Sequence, residues 1–89
     1  MRFAVMVDVC LKSGIADPAG STIERSLPAI GYEGVDNVKV GKTVRFDIES
    51  SNEEAARVLV EDLCADFLIN PVMEDAEITL VKVELEKEV

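Results

Sequence analysis

The sequence predicts an α+β fold, a βαββαβ two-layer sandwich in which a four-stranded antiparallel sheet carries two helices on one face. Two observations point to it. Segments with apolar residues at every second position alternate with segments at helical spacing, and Gly, Pro and Asn stand where the period changes. The 89 residues make one domain, residues 1–89, and at that length folding hides only roughly 60–65% of the surface of the open chain. The core is therefore thin, and self-association or a partner is the expected source of added stability.

The first strand runs from Arg2 to Leu11. Phe3, Val5, Val7, Val9 and Leu11 share one face, and Arg2, Ala4, Met6, Asp8 and Cys10 share the other. Lys12-Ser13-Gly14-Ile15-Ala16 reads as a turn, after which Asp17-Pro18 supplies a helix cap followed by a residue suited to the first helical position. Ile23, Leu27 and Ile30 recur at helical spacing. Gly31 suits a left-handed cap, and Pro28 predicts a kink or an early end.

Val35, Val38 and Val40, then Val44, Phe46 and Ile48, read as two strands joined by a hairpin at Gly41-Lys42. Ser50 and Ser51 precede Glu53 and Glu54 at capping-box spacing, and Val58, Leu59, Leu63 and Phe67 follow. A second helix of about four turns is expected, ending before Asn70-Pro71. The last strand is expected from Glu74 to Glu86, with Ile78 and Leu80 on one face and Val81, Val83 and Leu85 on the other. That change of phase predicts a bulge, or a strand whose far end leaves its own sheet. The overhang, with Val81, Val83 and Leu85, is the expected oligomer interface.

Net charge is −9, and residues 46–89 hold thirteen acidic against three basic groups. Such a surface repels phosphate backbones and anionic lipid, which disfavours nucleic-acid and membrane binding. No apolar stretch approaches the ~18 residues of a membrane span, and a soluble, cytoplasmic chain is expected. Cys10 and Cys64 lie far apart and no histidine is present, so both are expected to be reduced, half-buried apolar residues rather than zinc ligands.

A general base would have to be a carboxylate, lysine, tyrosine or thiolate with a shifted pKa, and most carboxylates fall on outer faces. Glu53, Arg57 and Glu61 have ordinary surface ion-pair spacing on a helix. Gly41-Lys42-Thr43 imitates the end of a phosphate-binding loop, but Asp36 stands where its first glycine is required. No catalytic residue, cofactor site or metal site is expected, although Lys42 could meet an anion or a partner's acidic group.

Three segments together resemble the PurS-type small subunit of phosphoribosylformylglycinamidine synthase: Lys12-Ser13-Gly14-Ile15-Ala16-Asp17-Pro18-Ala19-Gly20, Val38-Lys39-Val40-Gly41-Lys42 and Asn70-Pro71-Val72-Met73-Glu74. The resemblance covers about residues 2–80. It implies a non-catalytic subunit bridging a glutaminase subunit and a large synthetase subunit, which uses ATP and magnesium to turn formylglycinamide ribonucleotide into the amidine. It also implies a homo-oligomer, dimer or tetramer. Lys12, Gly14, Asp17, Pro18, Gly20, Gly41, Lys42, Asn70 and Pro71 carry the resemblance and are implied to be structural or partner-docking positions. Relatives often place an aromatic near Ala76, Pro28 is unusual within the first helix, and the tail after Lys82 lies outside the resemblance.

Two other functions share parts of this pattern. A regulatory ligand-binding module of the ACT type has the same element order but is expected within a longer chain. An acylphosphatase-like hydrolase would need an anion-cradling loop with an arginine near the end of the first strand, and Lys12-Ser13-Gly14 is a poor substitute.

Overall fold

The computed structural model describes residues 1–83. Its elements are β1 (Arg2–Leu11), α1 (Pro18–Ser26), a 3-10 turn (Pro28–Ile30), β2 (Lys42–Glu49), α2 (Glu53–Leu63), a π turn (Cys64–Leu68) and β3 (Glu74–Val83). The sheet has three antiparallel strands in the order β2-β1-β3. β1 is central because its apolar face is continuous. Phe3, Val5, Val7 and Val9 are all buried, and each is flanked on both sides in register: Val5 lies between Phe46 and Leu80, and Val7 between Val44 and Ile78.

The helix that covers this face is α2. Ala56, Val60 and Cys64 are buried, and their spacing of four residues places them on one stripe. Val60 and Cys64 join Val5, Val7 and Val9 in the core cluster, with Leu68, Ile69, Ile78 and Leu80 packed around them. The helix starts at Asn52, whose Oδ1 accepts from the Ala55 amide at 2.8 Å; Ser50 instead donates its backbone N–H to the Met1 carbonyl. After Leu63 the helix widens, and the Ile69 amide donates to the carbonyl of Cys64 five residues back. The wider turn brings the consecutive residues Leu68 and Ile69 both against the core. Ile69 is extended, as expected for a helix ending before Asn70-Pro71.

The expected four-stranded sheet is corrected to three strands. Residues 35–40 form no strand, and two of their amides are engaged elsewhere: Val38 N–H donates to Glu24 Oε1 at 3.1 Å and Val40 N–H to Asp17 Oδ2 at 3.0 Å. Asn37, at φ 57°, and Gly34, at φ 82°, also leave the extended region. There is accordingly no hairpin at Gly41-Lys42; Lys42 is the first residue of β2.

The helix layer is corrected too. α1 begins at Pro18 with Asp17 as its cap, and the chain tightens at Pro28 and ends on a left-handed Gly31, as the sequence indicated. Yet α1 buries only Gly20 and adds no residue to the core cluster. It lies at the Leu11 end of the sheet instead of on its face.

The expected bulge and overhang are absent among the described residues. β3 pairs with β1 in unbroken register from Glu74 opposite Leu11 to Val83 opposite Arg2. Val81 and Val83 therefore pair within the chain's own sheet, on its open face, while Leu85 and the rest of the expected strand lie outside the described residues.

Because Val60 is fully buried on the central strand's apolar face, Val60→Ala should cost about 2 kcal/mol, from two lost methyl groups and the void they leave. Urea unfolding of wild type and variant reads this directly.

Candidate functional site

The nine residues singled out in the sequence gather at one end of the sheet, where β1 stops and β2 starts. Lys12 continues β1: its amide donates to the Met73 carbonyl at 2.8 Å, and its ammonium pairs with the Asp75 carboxylate. That ion pair is exposed and contributes little, so the backbone bond is what fixes the junction. Gly14 has φ +87° in the turn after β1 and is suited to it by having no side chain. Asn70 and Pro71 build the turn into β3. Asn70 Oδ1 accepts from Val72 N–H at 3.0 Å, its carbonyl accepts from Met73 and Glu74, and its own N–H donates to Glu74 Oε1 at 2.8 Å. Asn70 is thus a self-satisfied turn residue.

Asp17 does the most. One carboxylate oxygen caps α1 by accepting from Gly20 N–H at 2.9 Å, and the other accepts from Val40 N–H at 3.0 Å. Pro18 sets the first helical turn. Gly20 is the buried residue of α1 because a Cβ there would run into the Val38 carbonyl oxygen and the Asp17 carboxylate. Glu24, one turn further on, accepts from Val38 N–H. Gly41 brings its backbone against β1, where a Cβ would lie 2.5 Å from the Val9 carbonyl oxygen. Lys42 then opens β2 opposite Val9 and is exposed.

A cleft of about 390 Å³ lies in this corner between Leu11, Lys12, Ser13, Asp17, Asn37 and Lys39. A second of about 360 Å³ adjoins it at Pro18, Gly41, Lys42 and Glu74. The acidic groups around them are engaged within the fold. The Val40 and Gly20 amides, helped by Lys39, hold the Asp17 carboxyl below its ordinary value; Glu74 accepts from Asn70 and Asp75 pairs with Lys12. A general base needs a pKa near the working pH, and the Asp17 carboxyl is held below even its ordinary value. Of the thiols, Cys64 is buried and its pKa is pushed up by burial and then by Glu61. Cys10 is exposed at the end of β1, correcting the expectation that it is half-buried. Both are free. Among the described residues no three His, Cys, Asp or Glu side chains converge as a metal site, and no helix is long and apolar enough to cross a membrane.

The corner is therefore a joint. Side-chain oxygens tie α1 to residues 38–40, which lead straight into β2, and backbone bonds tie β1 to the turn before β3. Sequence reasoning found Asp17 as a cap but missed its bond to Val40 and that of Glu24 to Val38. These span 23 and 14 residues, and no local spacing signals them.

The fold and this joint define a small α+β protein whose marked residues serve architecture. Comparison with known proteins gives the family. The model of PurS, phosphoribosylformylglycinamidine (FGAM) synthase, matches residues 4–82. The PurS subunit of Methanocaldococcus jannaschii is 37% identical over 82 residues, spanning 92% of this chain and 99% of that one; the Methanothermobacter thermautotrophicus subunit is 36% identical over 84 residues. Among solved structures, M. jannaschii PurS superposes with a TM-score of 0.82 at 36% identity, covering 92% of this chain and 99% of that one. PurLQS from Thermotoga maritima gives 0.83 at 33% identity, covering 91% and 99%. The chain belongs to the PurS family and is a subunit of phosphoribosylformylglycinamidine synthase of purine biosynthesis. The ACT-type and acylphosphatase-like readings are set aside.

Two consequences of the joint can be measured. In an open helix, Gly→Ala gains up to ~1 kcal/mol; at Gly20 the collision with Val38 should reverse the sign, so Gly20→Ala should lower Tm in a thermal melt. The pKa of Asp17 is lowered on folding, so its contribution is complete above the unfolded value of about 4 and is lost as pH falls through the lower folded value. Melting curves should thus show a step of destabilisation below about pH 4 that is missing in Asp17→Ala, whose Tm should already be reduced at neutral pH.

Proposed function

We propose that this chain bridges a glutaminase subunit and a large, ATP- and magnesium-using synthetase subunit, so that ammonia released from glutamine reaches formylglycinamide ribonucleotide without entering bulk water. The observation that carries the reading is the near-complete match, across 91% of this chain, to a T. maritima structure described as PurLQS. In physical terms, holding two reaction centres in one sealed assembly replaces a diffusive encounter by a positioned one and keeps ammonia from loss or protonation. The chain itself binds no cofactor in this reading and works in the cytoplasm.

Self-association belongs to the same proposal, as a dimer or tetramer. Its candidate contacts include Val81 and Val83 at the Arg2 end of the sheet, where Val81 is exposed beside Ala4 and Met6 across the strands. Leu85 is the third candidate of this set. Lys12, Lys42 and the 70–74 turn, gathered at the opposite end, are the candidate positions for contact with the larger subunits.

Reconstitution tests the bridging role. Combined with glutaminase and synthetase subunits from the same organism, this chain should be required for glutamine-dependent amidine formation and dispensable for ammonia-dependent formation. Glutamine-dependent activity indifferent to its presence would refute the reading.

A further inference from the structure

The larger of the two clefts at the joint has walls that the fold holds in place. One wall is the turn after β1, closed by the Ile15 amide donating to the Lys12 carbonyl at 3.1 Å and tied by Lys12 N–H to the Met73 carbonyl. The other is the 37–40 segment, held by the bonds from Val38 N–H to Glu24 and from Val40 N–H to Asp17. Leu11, Ile15 and Val40 supply apolar lining. The cleft is thus preformed, and its volume of about 390 Å³ falls in the range of small-molecule sites, roughly 300–1,000 Å³.

The polar side chains on its lining are mostly donors that the chain does not use. Among the described residues, the Ser13 hydroxyl, the Asn37 amide and the Lys39 ammonium make no side-chain hydrogen bond or ion pair. Asp17 is the carboxylate on the lining, and its two oxygens accept from the Gly20 and Val40 amides. Lys39 is the smallest of the influences on that carboxyl, so the two charges are only loosely paired. Lys12, on the same lining, is joined to Asp75.

We propose that this cleft binds a small oxyanion, the carboxylate or phosphate group of a metabolite. Lys39 is its counter-ion, the Ser13 hydroxyl and the Asn37 amide donate to its oxygens, and Leu11, Ile15 and Val40 meet its carbon skeleton. A donor-rich lining selects a ligand rich in acceptors, because an anion offers a lone pair to each donor whereas an amine leaves them unmatched. In a chain of net charge −9, a cleft with two lysines and one amide-bound carboxylate is a place where an anion escapes the general repulsion. An occupant touches both walls, so it links the turn after β1 to residues 37–40 and stabilises the folded chain. The inference concerns what one chain binds alone and does not depend on the bridging role.

The test uses the full chain without partners, at fixed ionic strength so that screening stays constant. Inorganic phosphate, glycerol phosphate and succinate are titrated in thermal melts and in amide proton–nitrogen correlation spectra. At least one should raise Tm with concentration and shift the resonances of residues 12–15 and 37–40 ahead of those at the Arg2 end of the sheet. The two phosphates against succinate separate the two chemistries. Lys39→Gln should raise the dissociation constant about tenfold or more. Asn37→Gly removes the amide and suits φ 57°, so it should weaken binding with unchanged circular dichroism. Flat melts and unmoved spectra with all three compounds overturn the proposal. So does a response that Lys39→Gln and Asn37→Gly leave intact, which marks a general ion effect. Three inert compounds together with weakened assembly of Lys39→Glu on the larger subunits would overturn it in favour of a protein contact.

Discussion

The structure depends on β1 being buried on one face and paired along both edges. Phe3, Val5, Val7 and Val9 are all buried, and Val60 and Cys64 of α2 form one cluster with the last three. A strand of this kind needs two neighbours and one covering helix, and β2, β3 and α2 are those three. Among the described residues nothing else is required to bury it, which frees α1 and the following loop for other use.

That use is set by one carboxylate. Asp17 combines the ordinary task of a helix cap with a bond to a backbone amide 23 residues away. The second bond takes one of the donors an additional strand would offer, so the same interaction that fixes α1 works, with the positive φ of Asn37, against a strand at residues 35–40. A local preference, Asp before Pro at a helix start, thereby becomes a choice between two architectures.

This explains what could be read from the sequence. β1, the start of α1 and its end near Pro28, and the stop of α2 before Asn70-Pro71 were legible because each depends on residues within a few positions. The family was legible from three short segments, Lys12 to Gly20, Val38 to Lys42 and Asn70 to Glu74, which the fold brings to one end of the sheet. The fourth strand was misread because Val35, Val38 and Val40 have strand spacing, and the partners that claim their amides, Glu24 and Asp17, are distant in sequence. The phase change at Leu80-Val81 was misread as a bulge. It marks only an apolar residue on the open face, which periodicity alone cannot separate from a slipped strand. The role of Lys42 as the opening of β2 instead of a hairpin tip follows from the same error.

The central position of β1 also shapes how the chain is made. The strand synthesised first pairs with one neighbour some forty residues later and with another only when residues 74–83 exist. At ribosomal rates, about 4 to 16 s separate the start of β1 from the completion of β3; until β2 is made the apolar strand has two open edges, and after that one. Such sequence-distant pairing slows folding. The acidic second half then arrives as the nascent chain's own safeguard, since like charge on neighbouring unfinished chains keeps those open edges apart.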